Sequence, residues 1–203
     1  HFAFFQIKIM FNGIIKNTGR IINIHKTKKN CLLTISSDIK FTKSEIGSSI
    51  SCSGTCLTLS SFRGKNSNFY LSNETLKRTN FRNAKVKDLV NLEKSLKYGT
   101  RISGHFVQGH VDAACLVSKI GFLGKSWSIN IQLLRKYRNF VVEKGSVTIN
   151  GVSLTISNIF KNEFQVVVIP QTLKYTNLIK LKKNNIVNIE FDVLGKYINN
   201  FLK

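Results

Sequence analysis

The chain repeats itself at one fixed spacing, and that repetition narrows the possible folds more than any other feature. Gly54, Cys56 and Thr58 stand 97 residues before Gly151, Ser153 and Thr155. The block Glu74-Thr75 to Thr79-Asn80 is answered 97 residues later by Gln171-Thr172 to Thr176-Asn177, and Val90-Asn91-Leu92-Glu93 by Val187-Asn188-Ile189-Glu190. Three separated blocks that hold one offset mark a duplicated domain. Two copies do not make a solenoid, which needs at least three stacked repeats.

Each copy is built from short runs of alternating apolar and polar residues separated by Gly, Asn and Lys turns. They include 49–59, 127–134, 140–149, 153–160 and 164–169, and a period of two is the pattern of half-buried strands. Helical periodicity is confined to the residues after Glu74, those after Gln171, and 194–202. A small antiparallel sheet of this kind hides its edges by closing. The expected fold is all-β: two tandem Greek-key-like β-barrels over 10–97 and 98–193, joined near 94–100, with short helices and a C-terminal helix over 194–203. Residues 1–9 precede Met10 as an upstream extension.

The formal charge of +21 raises the question of nucleic acid, since clustered cations neutralise phosphates. The lysines, however, are spread along the whole chain and accompany many Asn, Ile and Phe residues, all of which A/T-rich codons encode. A diffuse field of this kind speaks to solubility, so no nucleic-acid partner is expected. Aromatic residues interleaved with a basic stripe, as in strand-binding barrels, are not visible. The four cysteines, Cys31, Cys52, Cys56 and Cys115, lack the density of a secreted disulfide framework, which points to a reduced, cytoplasmic protein. Along a continuous strand Cys52 and Cys56 would stand about 13 Å apart, too far to bridge. No apolar run reaches the ~18 residues of a membrane span.

His105 and His110 lie in Gly104-His-Phe-Val-Gln-Gly109-His110. On an extended strand they would point to opposite faces, so no metal is expected. One suits a packed, hydrogen-bonded role, and the flanking glycines allow close approach of a ligand to the other. Cys56 with Thr58, and Ser153 with Thr155, place paired small polar groups on one strand face in each copy, able to bond the edge of a flat heterocycle. The Asn91/Glu93, Asn188/Glu190 and Thr-Asn pairs fit turn and cap roles as well as they fit function. Asp192 is a lone carboxylate in an apolar run, so it must be hydrogen-bonded or useful. No phosphate loop, nucleophile elbow or nicotinamide fingerprint is present, which argues against nucleotide-cofactor chemistry by the commonest routes. The residues alone lead to a duplicated barrel binding two similar polar ligands.

Several motifs carry a resemblance. Met10-Phe-Asn-Gly13-Ile-Ile15, Ser53-Gly-Thr-Cys56-Leu-Thr58, Gly104 to Asp112, Gly145 to Thr155, Ile169-Pro-Gln-Thr172 and Phe191-Asp192-Val-Leu-Gly-Lys196-Tyr resemble, in order, blocks of the riboflavin synthase family, with Asn12 at a usual Thr and Ser53 at a usual Asn. The resemblance implies a cofactor-free dismutation of two 6,7-dimethyl-8-ribityllumazine molecules into riboflavin and 5-amino-6-ribitylaminouracil. It further implies a homotrimer in which the N-terminal barrel of one subunit faces the C-terminal barrel of its neighbour. It assigns Ser49, Cys56, Thr58 and His110 to the N-terminal site and Lys144, Ser153, Thr155 and Asp192 to the C-terminal one. Ile14, Ile15, Leu57, Glu74 and Thr75 would contact ligand in the first barrel, and Gly109, Leu154 and Thr172 in the second, with Gly13 a further substrate-binding residue. The alternative is a non-catalytic lumazine or flavin carrier on the same duplicated barrel.

Overall fold

The computed structural model describes residues 11–27 and 30–202; the 1–9 extension and Met10 lie outside them. The first copy contributes β1 (Asn17–Lys26), β2 (Asn30–Ser37), β3 (Ser49–Cys52), β4 (Thr55–Arg63), β5 (Asn66–Ser72) and β6 (Leu89–Lys94), with α1 (Asn73–Arg78) after β5. The second contributes β7 (Ala113–Leu123), β8 (Ser126–Gln132), β9 (Ser146–Ile149), β10 (Val152–Ile159), β11 (Glu163–Val168) and β12 (Ile186–Phe191), with α2 (Pro170–Tyr175) after β11 and α3 (Val193–Phe201) at the end.

Both copies close into antiparallel barrels with the same order, β1-β2-β5-β4-β3-β6 and β7-β8-β11-β10-β9-β12. Three hairpin-linked strands beside a returning one make this the expected Greek key. Even the bulges repeat: the ladder shifts register between Ile21 and Asn23 and again between Val117 and Lys119, and likewise at Leu59/Ser61 and Ile156/Asn158. Each barrel fills with its own alternating residues, Leu33, Ile35, Leu59 and Phe69 in the first and Ile129, Ile131, Phe164 and Val166 in the second.

Two expected runs are broken. Residues 49–59 form a hairpin, because Ser53 (φ 44°) and Gly54 (φ 79°) supply the two left-handed positions of a tight turn. Cys52 and Cys56 therefore lie on neighbouring strands, not along one. Cys52 is fully buried in the core while Cys56 is only half-buried, and neither of them, nor Cys31 or Cys115, forms a disulfide. Residues 140–149 begin in a 3-10 turn over Arg135–Phe140 and become strand only at Ser146, after Lys144 turns the chain at φ 66°.

The barrels meet across a pseudo-two-fold axis lined by asparagines. Asn91 Nδ2 donates to the Asn150 carbonyl (2.9 Å) and Asn188 Nδ2 to the Ser53 carbonyl (2.8 Å). The Asn177 N–H donates to Asn91 Oδ1 and the Asn80 N–H to Asn188 Oδ1, each at 2.7 Å. The asparagines of the duplicated Val-Asn-x-Glu blocks thus join the barrels. The threonines are helix-end hardware: Thr79 Oγ1 donates to the Thr75 carbonyl and Thr176 Oγ1 to that of Thr172.

Candidate functional site

The segments that lead into the two barrels cross over. The lead-in of the first copy, Phe11 to Ile15, lies on the second barrel: the Ser153 N–H donates to the Gly13 carbonyl at 2.8 Å, and Ile15 is buried in the second barrel's core. The lead-in of the second copy lies on the first barrel, where the Cys56 N–H donates to the Gly109 carbonyl, also at 2.8 Å. Phe11 and Val107 form a two-residue antiparallel bridge where the segments pass each other. The approach is tight enough that a Cβ on Gly13 would stand 2.7 Å from Ser153 Cβ, and one on Gly109 2.7 Å from Cys56 Cβ. Ile15, expected with the first barrel, thus packs in the second, and Gly109, expected with the second, lies on the first, while Gly13 sits beside Ser153. The duplication locates these residues within a repeat but says nothing of which barrel their segment crosses to.

Each crossing is held by a buried glutamate. Glu93 on β6 accepts the Asn12 and Gly13 N–H groups at 2.9 and 3.1 Å, and Glu190 on β12 accepts those of Gln108 and Gly109 at 2.8 and 2.9 Å. Burial pushes both carboxyls up to about 7, against the backbone N–H groups that favour the charged form. Lys196 also draws Glu190 down, while Asp112 pushes it slightly up.

On the first barrel, β4 presents half-buried Cys56 and exposed Thr58 on one face, with Ser49 opposite Thr58 on β3. Burial raises the Cys56 thiol above its ordinary value; a Ser49 hydrogen bond opposes this and the Glu190 charge adds to it. His110 follows Gly109 and is exposed. On the second barrel, Ser153 and Thr155 occupy the same face of β10 with Ser146 opposite Thr155. Here the structure adds a residue that the site assignment lacked: His105 Nδ1 lies 2.8 Å from Ser153 Oγ. Burial lowers the His105 pKa and the Asp192 carboxylate works against that shift. Asp192 is half-buried and also caps α3, accepting the Leu194 N–H at 3.0 Å.

Other expected site residues are less close to these centres. Leu57 and Leu154 alternate with the polar pairs and point into the cores, which leaves only their backbone to the polar face. Glu74 is exposed and pairs with Arg78, Thr75 bonds the Ser72 hydroxyl, and Thr172 is half-buried in α2. Both helices follow strands whose antiparallel register returns them toward Cys56 and Ser153. Lys144 is exposed, and its N–H bonds the Ile156 carbonyl beyond Thr155. Among the described residues no group of three His, Cys, Asp or Glu side chains converges as a metal site would require.

The lumazine binding domain model matches this chain twice, over residues 12–95 and 108–192. The riboflavin synthase of Actinobacillus pleuropneumoniae is 38% identical over 193 residues, spanning 95% of this chain and 90% of that one. The chain belongs to the riboflavin synthase family. A second member, from Photobacterium phosphoreum, is 39% identical over 95% of this chain and 89% of its own. Among solved structures, LumP complexed with riboflavin superposes with a TM-score of 0.79 at 25% identity, over 90% of this chain and 99% of that one. LumP complexed with 6,7-dimethyl-8-(1'-D-ribityl)lumazine gives 0.77 at 24%, a likeness of fold. The crossed lead-ins and paired strand faces thus belong to a family member with both copies of the domain present.

Proposed function

We propose that this chain is a riboflavin synthase that dismutates two molecules of 6,7-dimethyl-8-ribityllumazine, and that Cys56 and Ser153 mark its two unequal substrate sites. The observation that carries the reading is the hydrogen bond between Ser153 and His105 on one copy of a duplicated site whose other copy offers Cys56 and Ser49. One lumazine must give four carbons and the other accept them, so two sites of one architecture and different chemistry suit the reaction. The 7-methyl proton is acidic because its carbanion delocalises into the ring. A neutral imidazole, its charged form disfavoured by burial, can take that proton through or beside the Ser153 hydroxyl. The Gly13 and Gly109 carbonyls fix the covering backbone, while Thr58, Thr155, Ser49 and Ser146 offer hydroxyls along the strand faces.

Incubation of the purified protein with lumazine alone tests the reading. One riboflavin should form for every two lumazines consumed, with no metal or nucleotide added. Tight binding with no turnover would reassign the chain as a carrier.

The same proposal includes self-association as a homotrimer in the cytoplasm. Helix α3 is held to the second barrel by Lys196 and Asp112 at 2.6 Å, yet carries an uncovered stripe of Leu194, Tyr197, Ile198, Phe201 and Leu202. Apolar residues three and four apart form one helix face that another chain can bury. Sedimentation should give a trimer, and Ile198→Asp with Phe201→Asp should shift it to monomer; an unchanged mass would remove α3 from the interface. Four cysteines with no disulfide among them favour a reducing compartment.

A further inference from the structure

We propose that Glu93 and Glu190 are crossed positioning residues, each acting from its own barrel on the backbone that covers the other barrel's strand site: Glu93 for Ser153, Glu190 for Cys56. The connection runs through single residues. Gly13 gives its N–H to Glu93 and receives the Ser153 N–H on its carbonyl; Gly109 gives its N–H to Glu190 and receives that of Cys56. Within its own barrel Glu93 stands across β3 from Cys56, since Ser51 is opposite both. Its carboxylate nonetheless turns to the segment that crosses away. Glu190 is placed likewise, with Thr148 between it and Ser153.

Two adjacent backbone N–H groups aimed at one carboxyl suit an acceptor with two free oxygens, which each glutamate supplies in its ionised form, above about pH 7. Both glutamates are buried, at 9% and 2% exposure, so water cannot substitute for them. A glutamine keeps the shape, but its amide N–H₂ would oppose one of the two donors. The lead-in would then lose one bond and be pushed off the strand face it covers. Because the two clamps act on different segments, their effects should separate, and they should separate crosswise.

The proposal rests on the reading of Cys56 and Ser153 as the two substrate sites, but its test needs no substrate, so either can fail alone. Glu190→Gln should speed iodoacetamide labelling of Cys56, located by peptide mass spectrometry, about tenfold, the equivalent of one charge-assisted hydrogen bond, and leave the His105 titration seen by NMR unchanged. Glu93→Gln should shift the His105 titration toward that of a solvated imidazole and leave Cys56 labelling unchanged. Same-barrel effects, equal effects of both variants on both readouts, or no effect would each overturn it. Should a glutamine variant fail to fold, Glu93→Asp and Glu190→Asp carry the same readouts. The unaltered protein offers a further check by hydrogen exchange: the Gly13 and Ser153 amides should exchange together, as should Gly109 and Cys56. Exchange of Gly13 with Ser153 still protected would overturn the proposal.

Discussion

Replacing Gly54 by alanine tests how the barrels are joined. Gly54 lies at the turn where the first barrel touches the second, and a Cβ there would stand 2.7 Å from Gly151 N and 3.1 Å from Gly151 Cα. Both neighbours are backbone, so relief requires the barrels to separate. Two costs add. A left-handed φ of 79° costs an alanine about 1–2 kcal/mol, and overpacking a fixed contact costs about 1–3 kcal/mol, for a total of about 2–5 kcal/mol. Separation also stretches the flanking Asn91 to Asn150 and Asn188 to Ser53 bonds. Gly47 provides the control, since its φ is 88° but nothing lies within 4 Å of its would-be Cβ. Gly47→Ala should therefore cost only the first amount. The assay is urea unfolding followed by fluorescence of Trp127, the single tryptophan, which sits in the second barrel. Gly54→Ala, though in the first barrel, should lower the unfolding free energy reported by Trp127 by about 1–3 kcal/mol more than Gly47→Ala. A difference under about 0.5 kcal/mol would refute the close backbone contact as a source of inter-barrel stability.

Three further outcomes are expected. His105→Ala and Ser153→Ala should each lower kcat about 100-fold with lumazine affinity little changed, and the double variant should be no worse than either; full turnover by His105→Ala would remove the imidazole from proton transfer. Because Glu93 and Glu190 sit near 7 when folded and near 4.5 when exposed, the folded protein holds protons that the unfolded chain has released. Their stabilising contribution is thus complete below about 4.5 and is lost as pH rises through about 7, so the urea midpoint of the unaltered protein should fall relative to the Glu93→Gln/Glu190→Gln variant between pH 5 and 8; parallel curves would disprove the shifts. Lys144 occupies the left-handed position held by Gly47 in the first copy, so Lys144→Gly should stabilise by roughly 0.5 kcal/mol, the strain relieved less the entropy glycine adds to the unfolded chain; measurable destabilisation would show that the lysine side chain makes a contact of its own.

What was legible in the sequence was whatever depends on local pattern and on repetition. The 97-residue offset required two copies of one fold, period-two runs covered six of the twelve described strands, and the paired small polar residues at 56/58 and 153/155 named the exposed strand faces. These follow from residues a few positions apart, where alternation alone decides which side chain is buried. Even locally the reading missed the turn at Ser53-Gly54, because an apolar-polar alternation continues through a hairpin of even length.

Tertiary structure alone decided which segment serves which barrel. Gly13 belongs in sequence to the first copy and in space to Ser153; Gly109 belongs to the second copy and lies on Cys56. A repeat has one spacing whether its lead-ins fold back or cross over, so no pattern distinguishes the two. The same reason hid the role of Glu93 and Glu190, whose partners lie 80 and 81 residues away at Gly13 and Gly109. It also hid that of His105, which becomes more than a packed histidine only once strand β10 of the second barrel brings Ser153 within 2.8 Å. Hydrogen bonds between segments far apart in the chain depend on how two closed sheets dock, and docking is set by the backbone contact at Gly54 and Gly151 and by the asparagines around it.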